Sequence, residues 1–190
     1  MRSAEGGRKM RELALNILDI TENSVKAKAS LVTVLVQARN NTLTIRIEDD
    51  GCGMDAEFLA RVTDPFTTTR TTRKVGMGIP LFKMAAEMTG GTFDIRSDKG
   101  KGTTVEATFV LDSIDRAPLG DLADTVVTLL GDDKGTEFVF DIRVDGEKFV
   151  FDTRELKKEL DGVSVTEPEV LLFVRDMINE NIKSIGGEKL

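Results

Sequence analysis

Two spacings of apolar residues run through the chain and predict a mixed α/β protein. Over residues 8–28, apolar side chains recur every three or four positions, as they do on one face of a helix. Residues 31–39 are rich in Val and Leu, and residues 42–49 alternate apolar with polar side chains, so both segments are predicted to be strands. Asn40 and Asn41 tolerate positive φ, which favours a tight turn that pairs the two strands.

Similar patterns extend to the C terminus. We predict further helices and strands as follows: helices over 55–62, 78–89, 119–130, 153–160 and 168–185, and strands over 92–97, 103–111 and on both sides of Asp145-Gly146. The turn at Asp145-Gly146 predicts a hairpin with Ile142 opposite Phe149 and Phe140 opposite Phe151. Residues 63–74 have no periodicity and are predicted to form a loop.

Composition narrows the class of protein. The 190 residues are 40% hydrophobic and 31% charged, as in a globular protein. No apolar run approaches the roughly 20 residues that cross a bilayer, and no apolar segment of a secretion signal follows Met1. A single cysteine, Cys52, excludes an internal disulfide and fits a reducing compartment. We therefore expect a cytoplasmic protein that does not act at a membrane.

The charge is unevenly distributed and predicts two parts. Residues 1–110 hold 16 Lys and Arg against 14 Asp and Glu, whereas residues 111–190 hold 10 against 19. This asymmetry predicts an N-terminal domain over 1–111 and a small acidic α+β module over 112–190. The acidic part lacks the basic surface of a nucleic-acid-binding protein. It is expected to bind a protein partner, or simply to extend the first core.

Asp49 ends the second predicted strand and is followed by Gly51 and Gly53. A carboxylate there can accept a hydrogen bond from an exocyclic amine, and glycines let a flat base come close to the backbone. Such a run alone is equally well explained as an ordinary turn after a strand.

Asp19, Asn23 and Lys26 share one face of the first predicted helix, because they lie three or four residues apart. An amide oxygen suits Mg²⁺, which takes few protein ligands. Asn23 considered alone is more simply a surface residue.

A third candidate segment precedes the helix predicted from Gly78. Gly76 and Gly78 flank Met77 where the loop enters this helix, and helix N termini bind anions through free N–H groups. The preceding segment 67–74 contains three cations, five hydroxyls and no acid. The glycines match neither a Walker A loop nor a dinucleotide-binding fingerprint.

In this order and spacing, over about residues 8–110, the pieces resemble the superfamily of gyrase, Hsp90, histidine kinases and MutL, known as GHKL or Bergerat-fold ATPases. Gly100–Thr104 resembles its last motif. The resemblance implies a two-layer α/β sandwich whose mixed, mostly antiparallel sheet has helices on one face. It also implies that the protein binds ATP with Mg²⁺.

The resemblance assigns a role to each matching residue. Asp49 would read the adenine amino group with support from Thr103, Asn23 would bind Mg²⁺, and Lys26 would contact phosphate as in histidine kinases. Lys74 stands where the family has the first glycine of its phosphate motif. Further ATP contacts are implied for Gly51, Gly53, Met54, Phe66, Arg73, Lys74, Gly76, Met77 and Gly78.

Two residues are candidates for catalysis. Asp19 occupies the place where ATPases of the superfamily have a Glu that activates water, although a solvated carboxylate or an outer partner of Mg²⁺ is the simpler explanation. Arg70 is a candidate for neutralising the γ-phosphate, as cations do in phosphoryl transfer; Arg73 is the alternative.

Three functions compete. The chain contains no histidine, so a histidine-kinase-like activity would transfer phosphate in trans to another protein, or to Ser or Thr. The alternatives are an ATP-driven switch with slow ATPase activity, and a nucleotide sensor without chemistry. Met1 and the C-terminal part favour a complete chain over an excised kinase domain.

Overall fold

A computed structural model describes residues 12–63, 77–132 and 134–190. The order of elements is α1 (Leu13–Lys26), β1 (Leu31–Arg39), β2 (Thr42–Asp49), α2 (Ala56–Val62), α3 (Gly78–Met88), β3 (Phe93–Asp98), β4 (Gly102–Val110), α4 (Leu122–Gly131), β5 (Glu137–Val144), β6 (Glu147–Asp152), α5 (Thr153–Glu159) and α6 (Pro168–Ser184), with a terminal 3₁₀ turn at Gly187–Lys189.

The six strands form one sheet in the order β3-β4-β2-β1-β5-β6. All neighbouring strands are antiparallel except β1 and β5, which run parallel from the pair Leu31–Glu137 to the pair Ala38–Val144. The sheet is therefore mixed and mostly antiparallel, as the fold class predicted.

One face of the sheet forms the core. Alternate residues of the central strands point to this face, where α1, α3, α4 and α6 cover them. Fully buried members include Val32, Val34, Val36, Leu43, Ile45, Phe109, Phe140 and Ile142. This alternation explains why the protein is a two-layer sandwich.

The hairpins confirm the predicted turn chemistry. Asn40 and Asn41 have φ of 49° and 60°, and Asp145 has φ of 49°. The predicted register is also confirmed, since Phe140 pairs with Phe151 and Ile142 with Phe149. Leu15 departs from the helical pattern: it was expected on the apolar face of the first predicted helix, but it is 43% exposed.

Residues 112–190 are joined to the first part of the chain through the sheet and through α4. The backbone amides of Leu13 and Ala14 donate to the carbonyls of Pro118 and Leu119 at 3.0 and 2.7 Å. The hydroxyl of Thr125 on α4 donates to the carbonyl of Ala14 at 3.4 Å. These contacts favour an extension of the first core, and the boundary near residue 111 stays a prediction.

Candidate functional site

Asp49, at the end of β2, is held by two donors. The Ser24 hydroxyl on α1 donates to Oδ2 at 2.6 Å, and the Gly51 amide donates to Oδ1 at 2.9 Å. Asp49 is half-buried, whereas Ser24 is only 4% exposed. A carboxylate has about four acceptor positions, so two donors leave capacity for a ligand's amine.

The glycines after Asp49 let this segment pass close to α1 and to the β3–β4 turn. A Cβ added at Gly51 would lie 3.0 Å from the Cβ and the carbonyl oxygen of Ala27. At Gly53, where φ is +61°, it would lie 2.0 Å from the Asp98 carbonyl oxygen. The amide of Cys52 donates to the Ala27 carbonyl at 2.9 Å. The segment is therefore packed tightly between two elements.

The β3–β4 hairpin supports Asp49 from the other side. Thr103 is the register partner of Asp49. The Thr103 hydroxyl lies 2.9 Å from the Ser97 hydroxyl, which accepts the Met54 amide at 2.8 Å. A Cβ on Gly102 would lie 1.9 Å from the Asp49 carbonyl oxygen, so only glycine fits beneath this residue.

Asp50 anchors the same turn to the start of β1. Its carboxylate accepts the Ser30 amide at 2.7 Å, the Leu31 amide at 3.0 Å and the Ser30 hydroxyl. The Ser30 hydroxyl is the main cause that lowers the pKa of Asp50 below its usual value, followed by the Leu31 amide. A charged Asp50 thus stabilises the turn.

The other end of the site lies where α3 begins beside α1. A Cβ added at Gly78 would lie 2.9 Å from the Asp19 Cβ and 3.5 Å from Asp19 Oδ2. Gly78 is buried, whereas Met77 before it is 57% exposed. The first backbone amides of α3 are therefore adjacent to Asp19. The N terminus of a helix favours bound anions.

Asn23 lies between these two ends. It is half-buried and precedes Ser24, and Asp19 is one turn earlier on the same helix. Lys26 takes a different direction: its ammonium is 3.2 Å from Glu22, and its side chain is 67% exposed. Asp19 and Asn23 are thus on α1, whose Ser24 bonds Asp49, whereas the Lys26 ammonium lies beside Glu22.

Part of the predicted site lies outside the described residues. These positions are Phe66, Arg70, Arg73, Lys74 and Gly76. Their predicted roles in binding ATP and in neutralising its γ-phosphate stay predictions.

Sequence reasoning did not assign roles to Ser24 and Ser97. Ser24 carried a signal, because it is a polar residue at an inward position of the helical pattern, and a buried hydroxyl needs a partner. Ser97 carried none, since its contacts with Met54 and Thr103 depend on how the hairpin folds onto the loop.

The sequence of this chain matches a known protein family. Residues 9–113, more than half of the chain, match the histidine kinase-, DNA gyrase B-, and HSP90-like ATPase family. The chain belongs to this family. It contains an ATP-binding domain of the histidine-kinase-like type, and this domain contains Asp49, Asn23 and Gly78.

Similar curated proteins include a putative sensor protein and a sensor protein kinase. A putative sensor protein of Shewanella frigidimarina is 29% identical over 103 residues, covering 54% of this chain and 16% of the relative. The sensor protein kinase FleS of Pseudomonas aeruginosa is 36% identical over 105 residues, covering 54% and 25%. The chain thus spans a quarter or less of these relatives, and their whole activities do not transfer directly.

A solved structure shares the fold. The crystal structure of the N-terminal domain of a DNA repair protein aligns with a TM-score of 0.51 at 13% identity, over 76% of this chain and 53% of that one. At this identity the likeness concerns architecture alone. Within the described residues, no helix has both the length and the apolar character that a bilayer crossing requires.

The residues present fit ATP. A Cβ at Gly51 would lie 3.0 Å from Asp49 Oδ1, so a side chain there would crowd the carboxylate. Asp49 is held as an acceptor by Ser24 and Gly51. The buried Gly78 opens a helix N terminus suited to phosphate. Asp49 and the start of α3 therefore both contact α1.

Proposed function

We propose that this protein binds Mg²⁺-ATP and transfers the γ-phosphate to a partner protein in trans. In this reaction the bond between the β-phosphate oxygen and the γ-phosphorus breaks. A nucleophilic atom of the partner forms the new bond to phosphorus, and ADP leaves. The proposal extends the family's ATP binding to a specific activity.

The observation that carries the proposal is that both ends of the site contact α1. Ser24 contacts Asp49 at the base end, and Asp19 packs against Gly78 at the phosphate end. Ser24 is five positions after Asp19, which corresponds to about 7.5 Å along a helix axis. An extended nucleotide can therefore lie against α1 and contact both ends.

Asn23 is the proposed protein ligand of Mg²⁺. On α1 it lies between Asp19, which packs against Gly78, and Ser24, which bonds Asp49. In the described parts of the chain no cluster of three or more His, Cys, Asp or Glu side chains is present. Mg²⁺ commonly takes one or two protein ligands together with substrate phosphates and water, so one amide oxygen suffices here.

Transfer in trans follows from the composition of the chain. These 190 residues contain no histidine, so a phosphohistidine would have to form outside them. The relatives are named as sensor proteins and sensor kinases, and they extend well beyond the matched part. These names support a kinase-type reaction over a DNA-linked one.

A slow ATPase is the second candidate function, and the place of Asp19 favours it. Asp19 lies against the first residue of α3, where a terminal phosphate would be bound. A carboxylate at that point can activate a water molecule as a general base. The two functions differ in the acceptor of the phosphoryl group.

One labelling experiment separates these functions. The purified protein is incubated with ATP labelled on the γ-phosphate, with and without lysate of its source, and labelled protein and free phosphate are measured. The trans kinase predicts label on one or a few proteins only when lysate is present. The Asp49→Asn variant replaces a carboxylate oxygen by an amide N–H₂ group, which cannot accept a hydrogen bond from adenine. This variant should abolish the labelling.

The outcomes have distinct meanings. Free phosphate without labelled protein, lost in Asp19→Asn while ATP binding persists, would establish the slow ATPase in place of the kinase. ATP binding without labelled protein or free phosphate would instead support a nucleotide sensor that has no catalytic activity.

A further inference from the structure

The Asp49 carboxylate depends on a hydroxyl from a different element. Ser24 Oγ lies 2.6 Å from Asp49 Oδ2, a short distance for a hydroxyl that donates to a carboxylate. Ser24 and Asp49 are 25 residues apart in the chain. The contact therefore couples the metal-binding helix α1 to the end of β2.

The hydroxyl has a clear preference for this acceptor. Its other acceptor is the Ile20 carbonyl, at 3.4 Å. A serine has one hydrogen to donate, and the shorter bond to a charged group is the stronger. Ser24 is 4% exposed, so water does not readily replace Asp49 as its partner. Its hydrogen is thus directed at Asp49.

The second oxygen is held as well. Oδ1 accepts the Gly51 amide at 2.9 Å, so each oxygen of the carboxylate has one protein donor. The side chain is restricted in rotation before any ligand arrives, and binding costs less when the receptor group is already ordered. Its remaining acceptor positions then face a ligand in one orientation.

We propose that Ser24 is a positioning residue that sets the preference of this protein for adenine over guanine nucleotides. The inference depends on the proposed binding of ATP at Asp49. A fixed acceptor accepts a hydrogen bond from the 6-amino group of adenine. It repels the 6-carbonyl oxygen of guanine, which is itself an acceptor. A mobile Asp49 would lose much of this discrimination.

The test uses the Ser24→Ala variant, which removes only the hydroxyl and keeps a residue well suited to a helix. The matched control is Thr21→Val. Thr21 is a buried α1 residue three positions earlier, and its hydroxyl has no hydrogen-bond partner among the described residues. Calorimetry measures the affinities for ATP, GTP and purine riboside triphosphate, which lacks the amino group, each with Mg²⁺.

We expect Ser24→Ala to weaken ATP binding by about tenfold, the scale of one hydrogen bond to a charged group. Binding of purine riboside triphosphate should change by less than about twofold, since no amine reaches Asp49, and the ATP-to-GTP ratio should fall. Thr21→Val should bind all three like the unaltered protein.

Two results would overturn the inference alone. One is an unchanged ATP-to-GTP ratio in Ser24→Ala. The other is an equal loss for all three nucleotides, which would show a general structural role. Failure of the unaltered protein to bind ATP is a separate result, and it would overturn the proposed function together with this inference.

Discussion

Short polar side chains hold the candidate site together. Ser24 and Ser97 each connect two elements through hydrogen bonds of 2.6 to 2.9 Å. The resemblance to the superfamily's motifs predicts roles for Asp49 and Asn23, whereas their positions alone leave a turn residue and a surface residue as explanations. The roles of the Ser24 and Ser97 hydroxyls were not predicted, because serine is common in loops and on surfaces. Burial is what shows that such a hydroxyl needs a hydrogen-bond partner.

At this scale we predict that Asn23→Ala removes the Mg²⁺-dependent part of ATP affinity. The loss should be at least about tenfold, which is usual even when an outer partner of a metal ligand is removed. Calorimetric titration with Mg²⁺ and with a chelator measures it. The chelator titration is the control, because there the variant and the unaltered protein should bind alike. Equal ATP affinity of both proteins with Mg²⁺ would contradict the role of Asn23.

The elements of the site are joined by close packing at glycines. α1 and α3 approach each other at Gly78, where no side chain separates the helix from Asp19. The sequence predicted that these glycines would open toward phosphate. It did not show that Gly78 also faces α1, because the packing partner of a helix depends on the whole layer.

At this scale Gly78→Ala is predicted to destabilise the protein. The new methyl group would lie 2.9 Å from the Asp19 Cβ and would force α3 away from α1. We expect a loss of about 1–3 kcal/mol in the free energy of unfolding, as for other overpacked sites. Denaturant unfolding measures this change.

Gly131→Ala is the matched control for that substitution. Gly131 ends α4, and a Cβ there would meet no atom within 4 Å. Replacing a helical glycine by alanine should leave stability equal or raise it by up to about 1 kcal/mol. Equal effects of the two substitutions would show that α3 does not press on Asp19.

Seen as a whole, the molecule has one sheet and one core formed by both halves of the chain. β5 pairs in parallel with β1, and α4 lies on α1. Val32 pairs with Phe138, and both belong to the same buried cluster. The charge asymmetry is compatible with a shared core, since charged side chains lie on the surface. The domain boundary near residue 111 stays a prediction.

At this scale we predict that residues 1–111 do not fold alone. Without residues 112–190, β1 becomes an open edge and the apolar residues under α4 and α6 meet water, which destabilises the fold. Circular dichroism and thermal unfolding of the shortened chain measure this. A cooperative transition with intact ATP binding would instead support the predicted boundary near residue 111.

The sequence alone determined what depends on neighbours along the chain. Asn40-Asn41 and Asp145-Gly146 set the two hairpins, because two-residue turns that need positive φ leave few alternatives. The motifs around Asp49 and Asn23 identified the superfamily, because nucleotide chemistry restricts the residue types there. Strand alternation likewise predicted which side chains are buried.

The tertiary structure decided what depends on segments far apart in the chain. The parallel pairing of β1 with β5 joins distant residues, and apolar strands do not specify their partner by pattern alone. The bond from Ser24 to Asp49 and the contact of Gly78 with Asp19 likewise require three elements to meet. Packing of the helical layer on the sheet brings these elements together, and the spacing of residues within one element does not specify this packing.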